Sequence, residues 1–230
     1  MKTIGIIGGM SWESSAVYYR LINQEIGKRL GGHYSAKLVL SSANFEEFSQ
    51  WQKADDWKAI ETAVDDMAQG LVRAGADFVV IACNTQHEVA EGVTERLPVP
   101  LLHITDVTAE AIQKAGFRKV GLLGTRFTME RQFFRGRLKE RFDIDVILPD
   151  AEDQKYVHDK IYHEFSKGIF SESTRIRFVE IIEKLAGQGA EGVILGCTEI
   201  PILVQAAHTN VPLFDTTTLH ALAAVEFSLI

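Results

Sequence analysis

Short apolar runs alternate with longer amphipathic stretches along the whole chain. The runs are rich in Val, Ile and Leu and are bounded by glycine or polar residues, which predicts buried strands. In the N-terminal half they fall at Thr3–Ile7, Lys37–Ser41, Phe78–Ala82 and Leu101–Ile104. In the C-terminal half they fall at Val120–Leu123, Asp145–Leu148, Gly192–Leu195 and Leu213–Phe214. Helical periodicity covers Ser14–Arg29, Ala54–Ala74, Thr85–Arg96 and Asp106–Ala115, then Thr128–Phe142, Asp150–Phe165, Ser171–Gly187, Glu199–Val204 and Thr217–Leu229. Such alternation predicts an α/β fold of mainly parallel sheets covered by helices. Ligands of such sheets bind outside the carboxyl ends of the strands. Met10, Thr125 and both cysteines stand at such ends.

The pattern repeats. Gly75-Ala76-Asp77 followed by an apolar run and Cys83-Asn84-Thr85 aligns with Gly189-Ala190-Glu191, a second run and Cys197-Thr198-Glu199. Lys2–Gly8 is echoed by Lys119–Gly124, and Val99-Pro100-Leu101-Leu102 by Val211-Pro212-Leu213-Phe214. The three offsets are 114, 116 and 112 residues, in the same order. This predicts two similar α/β domains related by a pseudo-twofold, the product of a duplication. The first spans 1–108 plus a C-terminal helix at 216–230, and the second spans 109–215.

Composition narrows the function classes. The chain has 230 residues, 46% hydrophobic and 24% charged, as ordinary globular proteins do. A net charge of −7 argues against a nucleic-acid partner, which needs a basic face. No apolar run is long enough to span a membrane, and no secretory leader is evident, so the expected location is cytoplasmic. The two cysteines are then expected to be reduced. The histidines are scattered without metal-ligand spacing, so no metal and no cofactor is expected. Gly5, Gly8 and Gly9 do not match the dinucleotide-binding spacing and read as a tight strand-to-loop turn.

The repeated thiols carry the chemistry. A lone cysteine is most often a small buried hydrophobe, but two at matching strand tips, beside Asn, Thr and Glu, point to a site. An ordinary thiol, with a pKa of about 8.5, is only about 3% thiolate at neutral pH. A helix N-terminus after each strand is expected to favour the thiolate. One thiolate then takes a proton from a substrate carbon while the other thiol returns one from the opposite side, inverting the centre. Backbone N–H groups and polar side chains near Ser11, Asn84, Thr85, Thr125 and Thr198 are suited to hold the α-carboxylate of an amino acid.

Four motifs make the chain similar to a known family. Gly8-Gly9-Met10-Ser11-Trp12-Glu13-Ser14, Cys83-Asn84-Thr85-Gln86-His87, Gly124-Thr125-Arg126-Phe127-Thr128-Met129-Glu130 and Gly196-Cys197-Thr198-Glu199-Ile200 resemble the aspartate/glutamate racemases over essentially the whole chain. The resemblance implies a cofactor-independent amino-acid racemase with Cys83 and Cys197 as the catalytic pair. It implies a site in the cleft between the two domains and carries the carboxylate-binding role to Asn84, Thr85, Thr125 and Thr198; Met10, Ser11 and Glu199 are further substrate-binding candidates. Glu199 matches the acidic residue of the aspartate-racemase branch, where glutamate racemases usually carry histidine. A homodimer is expected.

The chain departs from that pattern in the substrate side-chain pocket. Some aspartate racemases place an Asp-Arg pair in the loop after the second strand. Here the segment Asn44–Gln52 has no arginine, and Gln52 is the neutral replacement. Lys167 precedes Gly168 but sits one residue nearer its glycine than the family pattern has it. The substrate expected is aspartate or glutamate; a broad-specificity racemase, or a malonate decarboxylase or maleate isomerase of the same superfamily, is the alternative. A two-lobed binding module leaves the paired thiols without a task, and a thiol hydrolase leaves Cys197 without one. His87 either tunes Cys83 or serves in capping or packing. Trp12 either closes the site or belongs to the core. Arg126, Arg131, Arg135 and Arg137 read as a solvated helix face.

Overall fold

Eight strands form two four-stranded sheets, parallel throughout, in a computed structural model that describes residues 1–230. The first contains β1 (Ile4–Gly8), β2 (Leu38–Ser42), β3 (Phe78–Ile81) and β4 (Leu101–Leu102), in the order β2-β1-β3-β4. The second contains β5 (Lys119–Gly124), β6 (Asp145–Ile147), β7 (Gly192–Gly196) and β8 (Leu213–Asp215), in the order β6-β5-β7-β8. The two orders are the same once the strands are numbered within each half. The chain divides into one unit of Met1–Ile104 with His220–Ile230 and another of Thr105–Leu219.

In the first unit the strands alternate sides although they read as unbroken apolar runs. Ile4, Ile6, Phe78 and Val80 pack on Tyr18, Ile22 and Ile26 of α1 (Trp12–Leu30) and on Ala221, Ala224 and Val225 of α11 (Thr216–Leu229). Ile7, Val79 and Ile81 pack on Ile60, Val64, Ala68 and Leu71 of α3 (Trp57–Arg73), and on Ala90 and Val93 of α4 (Ala90–Arg96). The i, i+3 and i, i+4 spacings of these helix residues give each helix one apolar stripe. Both faces of the sheet are covered, which is why its strands carry no polar alternation.

The repeated sequence motifs each have a structural task. Gly75 and Gly189 take φ of +91° and +96° just after α3 and α9 (Glu172–Gly187), where the chain leaves the helix. The following Ala76 and Ala190 N–H groups return to the Leu71 and Leu185 carbonyls at 3.0 and 3.1 Å. The acidic residue then clamps the neighbouring strand. Asp77 accepts from the Thr3 N–H at 2.6 Å, and Glu191 accepts from the Arg118 and Lys119 N–H groups at 2.7 and 2.8 Å. Those two N–H donors hold the Glu191 carboxyl below its ordinary range. The carbonyls of Pro100 and Pro212 accept from Val79 and Val193 at 2.9 and 2.8 Å, starting the pairing of each edge strand.

Several boundaries differ from the sequence expectation. The segment Asn44–Gln52, expected as a loop, is mostly helix α2 (Phe45–Lys53), with the Asn44 side chain accepting from the Glu46 N–H. The helix expected from Ala54 starts only at Trp57, because Asp55 is left-handed (φ +54°) and the Asp56 side chain caps the first turn. The helix expected over Thr128–Phe142 is split into α6 (Arg126–Glu130) and α7 (Gln132–Phe142) by an extended Arg131. The strand expected to reach Ile104 ends at Leu102, and α5 (Ile104–Lys114) starts at once.

Candidate active site

In the first unit the candidate residues follow β1 and β3, which are hydrogen-bonded neighbours. Gly9, at φ +89°, turns the chain out of β1, and its N–H donates to Ser15 Oγ at 2.8 Å. A Cβ there would lie 2.3 Å from the Ala43 carbonyl oxygen, so only glycine fits. The turn buries Met10 and Ser11. Met10 joins Phe48, Ile81 and Val89 in one apolar cluster, and Cys83 packs against it. Asn84 and Thr85, directly after the thiol, are also buried. Gln52, one turn beyond Phe48 on α2, is buried and donates from Nε2 to Gln86 Oε1 at 3.4 Å.

The second unit repeats the arrangement after β5 and β7. Gly124 pairs with Gly196 at the last rung of the ladder. A Cβ on Gly124 would approach the Gly196 carbonyl oxygen to 2.9 Å, so there is no room for a side chain there. Thr125 and Cys197 follow these glycines directly. Thr125 caps α6, accepting from the Thr128 N–H at 3.3 Å. Cys197, Thr198 and Glu199 are all buried. The Cys197 thiol and the Thr198 hydroxyl both donate to Glu199 Oε2, each at 2.9 Å. Both cysteines are reduced thiols.

The expectation of a helix dipole behind each thiol is corrected here. Cys83 is followed by a 3-10 segment, Thr85–Val89, before α4 begins. Cys197 is followed by α10 (Ile200–Leu203), a single turn. Neither thiol is followed directly by a long α-helix, so the macrodipole expected behind it is weakened. The Cys197 thiol instead meets the Glu199 carboxyl group, to which it donates.

Sequence reasoning singled out His87 but not His103 or His220, which are buried beside it in the first unit. His87 Nε2 accepts the Ile104 N–H at 3.2 Å, since an amide can only donate; Nδ1 therefore carries the proton and donates to the Cys83 carbonyl at 2.8 Å. His220 Nε2 donates to the Leu102 carbonyl at 2.9 Å, and its Nδ1 accepts the Tyr18 hydroxyl at 2.9 Å. The His87 ring lies 4.6 Å from that of His103 and 5.9 Å from that of His220. Complete burial pushes the His220 imidazole down to about 4. His87 thus ties the Cys83 loop to the start of α5.

The remaining candidates are placed as follows. Lys167 ends a 3-10 turn (Phe165–Lys167) after α8 (Ala151–His163) and is exposed. Trp12 is exposed, which removes its core reading. Arg137 does not belong to a solvated face: its guanidinium holds Asp106, with Nη2 to Oδ2 at 2.6 Å, and its side chain is 11% exposed.

Known proteins share this arrangement. The profile of the Asp/Glu/Hydantoin racemase family matches residues 7–224. A candidate Asp/Glu racemase from Yersinia pestis superimposes with a TM-score of 0.93 at 47% identity, covering both chains fully. An aspartate racemase homologue from Pyrococcus horikoshii does so with a TM-score of 0.85 at 35% identity, again over both full chains. The broad specificity amino-acid racemase RacX of Bacillus subtilis is 25% identical over 171 residues, 74% of this chain and 73% of that protein. With 218 of its residues under the family profile and a thiol at the tip of the third strand of each sheet, the chain belongs to the Asp/Glu/Hydantoin racemase family.

Proposed function

We propose that the protein is a cofactor-independent amino-acid racemase that acts on aspartate or glutamate through Cys83 and Cys197. One observation carries the reading: two reduced thiols occupy the same topological position in two sheets of the same order, each followed by polar, buried residues. In this reading one thiolate removes the α-proton and the other thiol delivers a proton to the opposite face of the carbanion. Asn84, Thr85, Thr125 and Thr198 bind the α-carboxylate, and Ser11 and Met10 shape the turn beside it. Glu199 receives the Cys197 S–H bond and favours the protonated sulfur, so Cys197 enters the cycle as the acid. In this reading Gln52 and Lys167 meet the substrate side chain.

A broader substrate range is the second reading. Gln52 is a neutral contact paired to another amide, and a broad-specificity racemase is among the relatives. We place the enzyme in the cytoplasm as a homodimer; Trp12 and Tyr19 on α1, with Leu40 on the edge strand β2, are exposed apolar side chains that support a self-association surface.

The test is α-proton exchange in deuterium oxide across a panel of amino acids, without added cofactor. Exchange and racemisation of aspartate or glutamate are expected. Retention of the α-proton in every amino acid tested would overturn the racemase reading.

A further inference from the structure

The segment after Cys83 departs from α-helical geometry, and one side chain makes good the difference. Thr85–Val89 is a 3-10 segment, and the His87 N–H donates to the Asn84 carbonyl at 3.0 Å. In an α-helix that N–H goes four residues back, to Cys83. The Cys83 carbonyl instead accepts Nδ1–H from the ring of the same residue, at 2.8 Å. His87 thus serves two successive carbonyls, one from its backbone and one from its side chain. On the other side of the thiol, the Ala82 N–H donates to the Ile7 carbonyl of β1 at 2.8 Å. Cys83 is bracketed by the sheet before it and by His87 after it.

The ring is itself fixed. His87 is 1% exposed, and its Nε2 accepts the Ile104 N–H at 3.2 Å. Ile104 opens α5, so this bond satisfies one of the donors that a helix start leaves unpaired. A donor bond on one nitrogen and an acceptor bond on the other set both the tautomer and the orientation of the ring. The second copy of the repeat has no counterpart. The residue four places after Cys197 is Pro201, which has neither an N–H nor a polar side chain. There the Cys197 carbonyl takes the Ile200 N–H at 3.2 Å.

We propose that His87 is a positioning residue for Cys83: its neutral ring, protonated at Nδ1, ties the Cys83 carbonyl to the start of α5 and so fixes the direction of the thiol and of Asn84 and Thr85. The catalytic consequence rests on the racemase reading. The ring itself transfers no proton, because each nitrogen is engaged by a backbone group.

Two substitutions separate the two bonds of the ring. Asparagine carries an amide nitrogen as far from Cα as Nδ1, so it keeps the donor for Cys83 and stops one bond short of Ile104. Glutamine reaches as far as Nε2, so it keeps the acceptor for Ile104 and its amide stands one bond too far for Cys83. The full-length variants are compared with the wild type by racemisation of aspartate and glutamate, by iodoacetamide alkylation of Cys83 and by thermal melting. His87→Gln is expected to lower kcat by about tenfold with KM within about threefold, the size of one lost hydrogen bond felt at the reacting group. Its Cys83 alkylation is expected to speed up by about threefold or more, because the loop opens more readily. His87→Asn is expected to stay within about threefold of the wild type in both rates. The melts are expected in the opposite order, since glutamine fills more of the buried volume of the ring. A purely structural role makes activity follow the melts, so kcat and alkylation in the order of the melts, or equal in the two variants, overturn the inference. If either variant fails to melt cooperatively, nitrogen-15 NMR of His87 in the wild type decides. The neutral Nδ1–H tautomer is expected there, and an Nε2–H tautomer or an imidazolium near neutral pH overturns the inference. A wild type that racemises neither substrate removes the racemase reading, and the alkylation rates then decide on their own whether His87 places the thiol.

Discussion

Cys197 and Glu199 share a hydrogen bond of 2.9 Å in which the thiol is the donor. The carboxylate oxygen that receives it also receives the Thr198 hydroxyl. A carboxyl group that accepts from the thiol at this distance opposes negative charge on the sulfur. This is the reverse of the activation that the sequence suggested from a following helix.

Replacing Glu199 by Gln removes the charge and keeps the shape. Alkylation of Cys197 by iodoacetamide near neutral pH should speed up by about tenfold, read by mass spectrometry of the Cys197 peptide. Racemisation should slow in the same variant, because the thiol then holds its proton less well for donation. An alkylation rate equal to that of the wild type would mean that the bond has no bearing on the thiol.

The two thiols themselves bear the most direct test. Cys83→Ser and Cys197→Ser should each lower racemisation by at least about a thousandfold, since a serine hydroxyl is a far weaker acid than a thiol. Thermal melts should stay close to wild type, because each change is small. One variant should still exchange the α-proton of a single enantiomer in deuterium oxide, the one whose proton the remaining thiol reaches. Racemisation near the wild-type rate in either variant would end the two-thiol mechanism.

The fold was legible because its signals are local and repeated. Eight apolar runs and the helices between them were readable from period and punctuation, and the Gly-Ala-acid and Val-Pro repeats proved to be helix exits and strand clamps. The breaks were less visible. Asp55 in the left-handed region and the extended Arg131 lie inside stretches whose composition stays helical. The candidate residues at strand tips were also readable, since Cys83 and Cys197 repeat. Tyr18, Leu102 and His220 were not, because the Tyr18–His220 bond joins positions 202 residues apart. Gln86 and His87 lie inside the Cys83 motif, yet only the folded structure reveals which atoms they bind.

The repeated helix exits give a stability prediction free of packing. A Cβ added at Gly75 would meet no atom within 4 Å, and at Gly189 the nearest is the flexible Lys119 Nζ at 3.4 Å. Gly75→Ala and Gly189→Ala should therefore cost only the left-handed strain, about 1 kcal/mol each. Asparagine at either site should cost less, since it tolerates that conformation. Urea denaturation at constant m-value measures both. A neutral alanine variant would show that the backbone relaxes there.

Lys167 tests the substrate side-chain pocket. A second carboxylate taken out of water needs a positive or hydrogen-bonding partner. Lys167→Ala should raise KM for aspartate or glutamate about tenfold or more while neutral amino acids change by less than about threefold. Equal effects on acidic and neutral substrates would show that this exposed lysine does not meet the substrate.

His220 makes stability depend on pH in a defined window. Its ring is wholly buried, with Nε2 donating to Leu102 and Nδ1 accepting from Tyr18, and the rings of His87 and Tyr18 lie against it. Burial lowers it from the ordinary 6.5 to about 4. Between those values the unfolded chain binds a proton that the native protein refuses. The contribution is thus complete above about pH 6.5, falls as the pH drops, and levels off near pH 4, for a total of about 3 kcal/mol. His220→Gln keeps a donor for Leu102 and an acceptor for Tyr18 but does not titrate. The variant should therefore lose about 3 kcal/mol less than the wild type between pH 7 and pH 4, because the carboxylates contribute equally to both. Chemical denaturation at intervals of half a pH unit measures the two curves. Parallel curves across this window would show that His220 is protonated without cost in the folded protein.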